Sequence, residues 1–497
     1  MELATLIGHS AQLLRIIFKS SQPSDKIASQ YLREKKYIGS HDRRFISEVT
    51  FASLRIYRLS EYCSNQANGI LSGVKEKIKT IEKSDEYFLE YAILVATCIL
   101  SNIINTEKYF LAIDEIFFKS KQSNNEDFEN NLVFTVSNKF SLYSEQAKEW
   151  INQIKEAFTE LENQTKLILE KSVLDFKDLE ILQNRYSIQD WILKNWVENK
   201  FYHHTIKEAC GIAESLFYSA PITLRVNSHI ISREKVIHEL QKENISCALG
   251  ELSKDAIILQ KRVQLNEVEI YKNGLIEVQD EGSQIISFAL APEKNTKVLD
   301  ACAGAGGKTL HIASIQNDSG RVYANDTEWK RLNALQQRSV RNGFRSIEII
   351  PLSKAKQTNQ KLYKNYFNFF DYVLVDAPCS GTGSTRRMPM QKYRLTTELL
   401  SRLAKNQLSI LEEYSQFVKP GGILVYATCS LMADENDEVI AKFLNKNPNF
   451  VTDSISDALN KMEINSIKIG KDDFKLHLLP SIHGCDGFFV ARMKRME

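Results

Sequence analysis

The segment YVLVDAPCSGTGSTRRMP, residues 372–389, joins a short apolar run to a cluster of turn-forming residues. The run at residues 373–375 ends at Asp376, and Pro378, Cys379 and a glycine-containing loop follow. This pattern is typical of a buried strand in an α/β sheet. Because open α/β sheets bind ligands beyond the carboxyl ends of their strands, we expect Asp376 and Cys379 to lie where a ligand would bind.

A second segment, ILVYATCS at residues 423–430, has the same form and carries Cys429 at the end of its apolar run. A single buried cysteine is most often a small packing residue. Two strand-end cysteines beside Asp376 are a more specific combination, because a cysteine becomes a nucleophile when its thiolate is stabilised. Cys379 and Cys429 are therefore the candidate reactive pair.

Residues 279–497 alternate between strand and helix patterns. Strands are predicted at residues 297–300, 321–325, 346–351, 372–376 and 422–427, with a last pair around 476–479 and 487–493. Helices lie between them, including predicted helices at 328–342 and 397–418. This order predicts a doubly wound, Rossmann-like sheet with an antiparallel tail.

The first of these strands leads into DACAGAGGKT, residues 300–309. Glycines allow a backbone to approach a ligand closely at a helix N-terminus. A P-loop would need glycine at the position of Cys302, so a phosphate-binding NTPase is the weaker interpretation. The second strand leads to Asp326, which suits hydrogen bonds to ribose hydroxyls; the alternative is an aspartate that caps the following helix. Asp300, Asp326 and Asp376 would then line one edge of the sheet.

The preceding residues have a different pattern. Residues 1–166 are predicted to be all-helical, because apolar residues recur at helical spacing with almost no glycine or proline. Basic residues outnumber acids at residues 33–58, which indicates either a solvated helix face or a phosphate-binding surface. Residues 167–278 combine helices with short strands and predict a small α+β module.

The composition is that of a globular protein. The chain has 497 residues, a formal net charge of +2 and eight cysteines without a CxxC pair. This cysteine usage argues against a metal site and against a disulfide framework. The N-terminus lacks the features of a signal peptide, and the longest apolar run is too short to span a bilayer. We therefore expect a cytoplasmic protein with no bound metal and no membrane partner.

Several motifs together resemble one family. DAPCSGTG, YATCS, the glycine-rich loop, VQDEGSQ at 278–284, Glu435-Asn436 and the C-terminal GFF at 487–489 look like the Sun/Nop family of RNA cytosine-carbon-5 methyltransferases, over roughly residues 221–497. The N-terminal helices, with SHDRRFISEVTFASLR, resemble the NusB-like RNA-binding domain of the bacterial Fmu/Sun (RsmB-like) branch, which acts on small-subunit ribosomal RNA. The middle module is similar to the RRM-like segment of that family.

The resemblance implies an α/β architecture with three domains. Residues 1–166 would form the NusB-like domain, residues 167–278 the RRM-like α+β module with a helical linker, and residues 279–497 the Rossmann-like class I methyltransferase domain. The family uses S-adenosyl-L-methionine as its cofactor. Residues expected to bind it are Cys302, Ala303, Gly304, Ala305, Gly306, Gly307, Lys308, Asp326 and Asp376.

The resemblance also implies catalytic roles. Cys429 would attack carbon 6 of cytosine as a thiolate, and Cys379 would assist release of the product. The reverse assignment stays open, because DNA cytosine methyltransferases use the cysteine of their PC motif as nucleophile. Asp376 would hydrogen-bond the cytosine, and Lys308 would lie near the cofactor or the reacting base; its alternative is a solvated lysine at a helix start.

The chain departs from the family pattern at a few positions. Gly304 stands where the family usually has a small residue other than glycine, and Ala305 stands where it usually has proline. Both changes predict a more flexible loop. Residues 351–355 contain no acid to hold adenine, and Met388 stands where Asn or His is usual. Basic residues that follow the PCS loop are predicted to form an RNA-backbone surface: Arg386, Arg387, Lys392, Arg394, Arg402 and Lys405.

The sequence therefore predicts an RNA 5-methylcytosine methyltransferase that acts on ribosomal RNA as a monomer. Two alternatives stay open. One is a methyltransferase of the same fold that acts on transfer RNA or protein. The other is a non-catalytic RNA-binding assembly factor, against which the intact set of Asp376, Cys379 and Cys429 argues.

Overall fold

A computed structural model describes residues 1–67, 88–104, 117, 125–140, 142–202, 204–352 and 360–497. The chain forms two compact units. The helical unit comprises Met1–Ser219 and Thr385–Arg394, and the sheet unit comprises Ala220–Ser384 and Leu395–Glu497. The three predicted domain boundaries stay predictions.

The described part of the helical unit confirms the helical prediction for the N-terminal residues. Its helices are Leu3–Lys19, Ser24–Glu34, Ser40–Arg55, Tyr57–Gln66, Phe88–Ile103, Asn125–Phe140, Ser144–Ile168, Phe176–Tyr186, Asp190–Glu198, Ile206–Ser215 and Gln391–Arg394. Large apolar side chains such as Phe45, Trp150 and Trp196 are fully buried between them. Burial of this size is the main stabilising contribution in a helix bundle.

The short segment Thr385–Arg394 belongs to the helical unit, and this corrects the predicted RNA-backbone surface. Arg386 and Lys392 are each only 2% exposed. The Nζ of Lys392 donates to the carbonyl of Arg55 at 2.6 Å, and Arg394 donates to the carbonyl of Ser20 at 2.6 Å. The side chains of Lys392 and Arg394 therefore form hydrogen bonds with backbone carbonyls of the helical unit. Among the predicted residues, Arg402 and Lys405 are exposed.

The sheet unit begins with a small antiparallel sheet. Its strands are β1 (Ile222–Val226), β2 (Cys247–Leu249), β3 (Ala256–Leu259) and β4 (Ile276–Val278), in the order β2-β3-β1-β4. Helices Arg233–Lys242 and Glu269–Lys272 accompany them. This arrangement confirms the predicted α+β module.

A large mixed sheet follows. Its strands are β5 (Lys297–Asp300), β6 (Arg321–Ala324), β7 (Ile347–Ile349), β8 (Phe370–Asp376), β9 (Val418–Thr428), β10 (Phe450–Thr452), β11 (Lys475–Leu478) and β12 (Phe488–Arg495). The order is β10-β12-β9-β8-β5-β6-β7, with β11 paired to β12. Strands β5 to β9 are parallel to their neighbours in that group, whereas β10, β11 and β9 pair with β12 in antiparallel fashion. The predicted doubly wound sheet with an antiparallel tail is confirmed.

Helices cover both faces of this sheet. They are Glu281–Leu290, Gly307–Ile315, Trp329–Arg341, Gln360–Lys364, Thr397–Ser415, Asp437–Lys446, Ile455–Lys461 and Pro480–His483. The helix predicted at 397–418 was too long, because Val418 already begins β9. The short edge strand β10 was not predicted.

Strand β8 explains why its sequence is apolar without alternation. Leu374 packs into the core on one face of the sheet, whereas Val373 and Val375 pack into the core on the other face. A strand buried on both faces needs a continuous apolar run. The run ends at Asp376, and β5 lies beside β8 where the strand order reverses. That reversal opens a crevice at the carboxyl ends of the strands.

Membrane-spanning helices and metal-binding clusters are both absent from the described residues. None of the helices in this part of the chain is long and apolar enough to cross a membrane. The described residues also contain no cluster of three or more His, Cys, Asp or Glu side chains arranged to hold a metal ion.

Candidate active site

Two loops at the carboxyl ends of β8 and β9 bring the cysteines together. The Sγ atoms of Cys379 and Cys429 lie 3.4 Å apart, and both residues are half-buried. Asp376 pairs with Ala427 across these strands, so both loops leave the sheet at the same edge. The two predicted cysteines therefore form one site, although fifty positions separate them in the chain.

A close backbone approach fixes the loop after Cys379. The N–H of Gly383 donates to the carbonyl of Cys429 at 3.0 Å, and the N–H of Gly487 donates to the carbonyl of Gly383 at 3.0 Å. A Cβ atom on Gly383 would lie 2.1 Å from the Gly487 oxygen. Only glycine fits between these backbones, which gives a structural reason for the GTG and GFF motifs.

The buried carboxylate of Glu435 joins the two cysteine loops. Its Oε1 accepts from the N–H of Ser380 at 2.8 Å and from Nε2 of Gln407 at 2.9 Å. Its Oε2 accepts from the hydroxyl of Ser380 at 2.5 Å and from the hydroxyl of Ser430. Ser380 follows Cys379 and Ser430 follows Cys429, so Glu435 fixes the neighbours of both thiols. Asn436 adds a bond from its amide to the Ser430 carbonyl at 2.9 Å.

The two thiols differ in acidity. The hydrogen bond from Cys379 lowers the pKa of Cys429 below that of an ordinary thiol, and the Lys308 cation and Ser384 act in the same direction. That hydrogen bond, together with burial, raises the pKa of Cys379 well above its ordinary value. A thiolate therefore forms more readily at Cys429, while Cys379 stays protonated.

Lys308 and Asp376 form an ion pair beside the cysteines. The Lys308 Nζ lies 2.6 Å from Oδ2 of Asp376. Burial opposes the charge on Lys308, but Asp376 outweighs it and holds the pKa of Lys308 above its ordinary value. The interpretation of Lys308 as a solvated surface lysine is therefore wrong: its side chain is only 11% exposed.

The glycine-rich loop lies between β5 and helix Gly307–Ile315. Gly304 and Gly306 have φ angles of +55° and +89°, which glycine adopts without strain. A Cβ atom on Gly304 would meet nothing within 4 Å, so the loop faces open space there. Cys302 is half-buried, and burial raises the pKa of its thiol well above the ordinary value.

The acids at the ends of β5 and β6 lie against this loop. Asp326 accepts from the N–H of Gly304 at 2.9 Å and from the N–H of Glu328 at 2.8 Å, so both of its oxygens bind nearby backbone N–H groups. The residue before helix Trp329–Arg341 is Glu328, and no side chain caps this helix. Asp300 is 1% exposed and accepts from the Thr309 hydroxyl at 2.7 Å. Burial, with a smaller effect of neighbouring acids, raises the pKa of Asp300 to about 7. Its Oδ1 has no hydrogen-bond partner among the described residues.

The structure thus brings Lys308, Asp376, Cys379 and Cys429 into one site and places residues 302–307 in one loop. No role was predicted for Glu435 from the sequence, although the residue lies in the Glu435-Asn436 motif. The sequence does contain a pattern that indicates this role, because a serine follows each cysteine and an acid follows the second cysteine loop. A buried acid needs hydrogen-bond donors, and the two serines can supply them.

Comparison with known proteins places this site in a family. The family model described as 16S rRNA methyltransferase RsmB/F matches residues 287–494, and a ferredoxin-like domain model of RsmF/B-like methyltransferases matches residues 190–266. The probable ribosomal RNA small subunit methyltransferase B of Bacillus subtilis (strain 168) is 34% identical over 316 residues, which are 63% of this chain and 68% of that protein. The chain belongs to the RsmB/F methyltransferase family.

Two further similarities extend beyond this bacterial relative. The 25S rRNA (cytosine-C(5))-methyltransferase nop2 of Schizosaccharomyces pombe is 28% identical over 354 residues, or 65% of this chain and 56% of that protein. The crystal structure of PH0851 has a TM-score of 0.67 at 20% identity and covers 100% of this chain and 99% of that chain. This second likeness shows the fold. Lys308, Asp376 and both cysteines of this RsmB/F methyltransferase fall within the matched residues 287–494.

Proposed function

We propose that this methyltransferase transfers a methyl group from S-adenosyl-L-methionine to carbon 5 of a cytosine in RNA. The observation that carries the proposal is the 3.4 Å contact between Cys379 and Cys429 beside the Lys308–Asp376 ion pair. Carbon 5 of cytosine is a poor nucleophile. Addition of a thiolate at carbon 6 turns the ring into an enamine, and carbon 5 can then accept a methyl group.

Cys429 is the proposed nucleophile. Its lowered pKa favours the thiolate, and the thiol of Cys379 can donate a hydrogen bond to that thiolate. Cys379, whose pKa is raised, is proposed to act when the product leaves. After methyl transfer, a water molecule acting as base takes the carbon-5 proton, the C–H electron pair forms the carbon 5–carbon 6 double bond, and the bond between carbon 6 and Cys429 breaks, which restores the aromatic ring and the free thiolate.

Asp376 is the proposed contact to the target base. It lies at the end of β8, its side chain is 28% exposed, and the ion pair with Lys308 holds it in place. Thiolate addition develops negative charge on the cytosine ring, and a proton shared between Asp376 and the ring nitrogen, with the Lys308 cation beside it, would offset that charge. Lys308 lies next to both Asp376 and Cys429, so its cation also favours the thiolate.

The glycine-rich loop is the proposed cofactor site. The open space before Gly304 and the unsatisfied Oδ1 of Asp300 fit a ligand that carries a cationic group. The residues proposed to hold S-adenosyl-L-methionine are Cys302, Ala303, Gly304, Ala305, Gly306, Gly307, Lys308, Asp326 and Asp376. When bound, this cofactor supplies the electrophilic methyl group.

Small-subunit ribosomal RNA is the proposed substrate, because the Bacillus subtilis relative is named for it. Transfer RNA is the second candidate. An RNA substrate also fits the cytoplasmic location that the sequence predicts. A base inside a folded RNA would have to be extruded to reach the cysteines.

The experiment is bisulfite sequencing of ribosomal and transfer RNA from cells that lack the protein, with wild-type and Cys429→Ala genes returned separately. We expect one ribosomal cytosine to lose its methyl group and only the wild-type gene to restore it. A site lost in transfer RNA alone would overturn the ribosomal assignment. Restoration by the Cys429→Ala gene would contradict the role of Cys429.

A further inference from the structure

Two arginines from outside the glycine-rich loop hold its backbone. Nη1 of Arg338 donates to the carbonyl of Ala305 at 2.5 Å, and Nη1 of Arg225 donates to the carbonyl of Gly307 at 2.5 Å. Three of the four residues 304–307 are glycine, and glycine loses more conformational freedom on ordering than any other residue. External contacts therefore decide how well the loop keeps one shape.

A buried carboxylate on the small sheet fixes one of these arginines. Glu277 lies on β4, is 2% exposed and accepts from Nη2 of Arg338 at 2.8 Å. It also accepts from Nδ2 of Asn342 at 2.6 Å and from Arg341. Burial disfavours its charge, but these donors keep the pKa of Glu277 below its ordinary value. Arg225 lies opposite Glu277 in the β1–β4 pair. Arg225, which binds the loop directly, and Glu277, which binds it through Arg338, are therefore neighbours in the small sheet.

Close packing completes the path from the small sheet to the loop. A Cβ atom on Gly274 would lie 2.2 Å from the carbonyl oxygen of Arg341, so the turn that precedes β4 contacts the end of helix Trp329–Arg341 directly. A Cβ atom on Gly306 would lie 2.1 Å from Cδ1 of Leu335 in the same helix. The helix is therefore held by the small sheet at one side and touches the glycine-rich loop at another.

We propose that Glu277 and Arg338 are positioning residues for the cofactor, through which the small ferredoxin-like sheet sets the shape of the glycine-rich loop. This inference rests on the proposed function, because it takes that loop to be the cofactor site. Oε2 of Glu277 accepts one charge-assisted hydrogen bond from Nη2 of Arg338, while Oε1 accepts from Arg341 and Asn342, so a fixed carboxylate orients the Arg338 guanidinium. Without it, Arg338 no longer holds the Ala305 carbonyl, and the loop must be ordered when the cofactor binds.

The test uses the full chain and four variants: Arg338→Met, Arg338→Lys, Glu277→Gln and Glu239→Gln. Arg338→Met removes the bond to Ala305 but leaves Glu277 with Arg341 and Asn342, and its side chain is 23% exposed, so the fold should tolerate it. Glu277→Gln weakens the anchor itself. Glu239→Gln is the matched control, since Glu239 lies on the same module, has a side chain that is 41% exposed and forms an ion pair with Lys242.

Binding of S-adenosylhomocysteine without RNA is measured by calorimetry, and KM and kcat are measured for cofactor and RNA separately. Arg338→Met and Glu277→Gln should each weaken binding about tenfold, the loss of one charge-assisted hydrogen bond. The KM for the cofactor should rise in step, with kcat and the KM for RNA little changed. Arg338→Lys, which keeps one donor, should recover part of the affinity.

Three different results would overturn the proposal. If the wild-type protein binds S-adenosylhomocysteine and both variants bind it equally well, the anchor has no effect on the cofactor. If the wild-type protein does not bind it at all, the proposed cofactor fails first and the anchor fails with it. A variant in which kcat fell, both KM values rose and the unfolding temperature dropped would point to a merely structural role. That result would also overturn the proposal.

Discussion

The thiol sulfurs of Cys379 and Cys429 are 3.4 Å apart, although they belong to loops that follow different strands. At that distance one sulfur donates a hydrogen bond to the other. The contact lowers the pKa of Cys429 and raises that of Cys379, so a thiolate forms more readily at Cys429 than at Cys379. This difference in acidity supports the proposed division of roles between the two cysteines.

The first prediction concerns the pH dependence of attack. The rate of adduct formation should rise with pH as Cys429 loses its proton, and should level off at a lower pH than for an ordinary thiol, because the pKa of Cys429 is lowered. Cys379→Ser keeps a donor, whereas Cys379→Ala removes it and should move the plateau to higher pH. Single-turnover rates measured between about pH 6 and pH 10 check this, a range that brackets ordinary thiol ionisation. Identical profiles for the two variants would contradict the hydrogen bond as the cause.

The second prediction concerns Glu435. Glu435→Gln replaces one of two accepting oxygens by an NH2 group, so the hydrogen bonds from Ser380, Ser430 and Gln407 can no longer all be kept as they are and must rearrange. Misplacement of the cysteine loops should lower kcat by about 10²-fold, the usual cost of a small error in reacting geometry. Cofactor binding should change little. Methylation rates with a saturating cofactor measure the effect.

The control for Glu435 is Glu438→Gln. Glu438 lies three positions further on and forms an ion pair with Lys442 on the helix surface. Surface pairs of this kind contribute little, so kcat should stay at the wild-type value. Equal kcat values for the two variants would show that Glu435 does not position the cysteines.

The third prediction concerns stability. Gly383→Ala would place a methyl group 2.1 Å from the Gly487 carbonyl oxygen, so one of the two backbones must move. The free energy of unfolding should fall by roughly 1–3 kcal/mol, as for other overpacking substitutions. Gly8→Ala is the comparison, because a Cβ atom there meets nothing within 4 Å and Gly8 lies inside a helix. That change should leave stability unchanged or raise it slightly. If denaturant titration showed that both variants change the free energy of unfolding in the same direction, the close approach at Gly383 would be contradicted.

Several features were readable from the sequence because they depend on local patterns. The strand at 297–300 has the predicted bounds, and the apolar run that ends at Asp376 is a strand buried on both faces. Since parallel strands end at one edge, the two cysteines could be predicted to lie together. The short edge strand Phe450–Thr452 was not predicted, because its apolar run is only Phe450 and Val451 and polar residues flank it on both sides.

Other features depend on contacts that the sequence does not show. Arg386 and Lys392 read as a basic surface from charge alone, but both are buried in the helical unit. A charged side chain gives no sign of which carbonyl it will meet. Glu435 is similar, because its donor Ser380 lies 55 positions away. The anchoring of Arg338 by Glu277 also joins residues that are 61 positions apart.

The most direct test of the proposed chemistry is a covalent trap. Cys379→Ala protein is incubated with substrate RNA and S-adenosyl-L-methionine and then separated on a denaturing gel. Because Cys379 is proposed to assist release, we expect a protein–RNA adduct that survives denaturation. We expect no adduct when the same protein also carries the Cys429→Ala substitution. An adduct that persists in the double variant, or one that forms with Cys429→Ala alone, would contradict attack by Cys429.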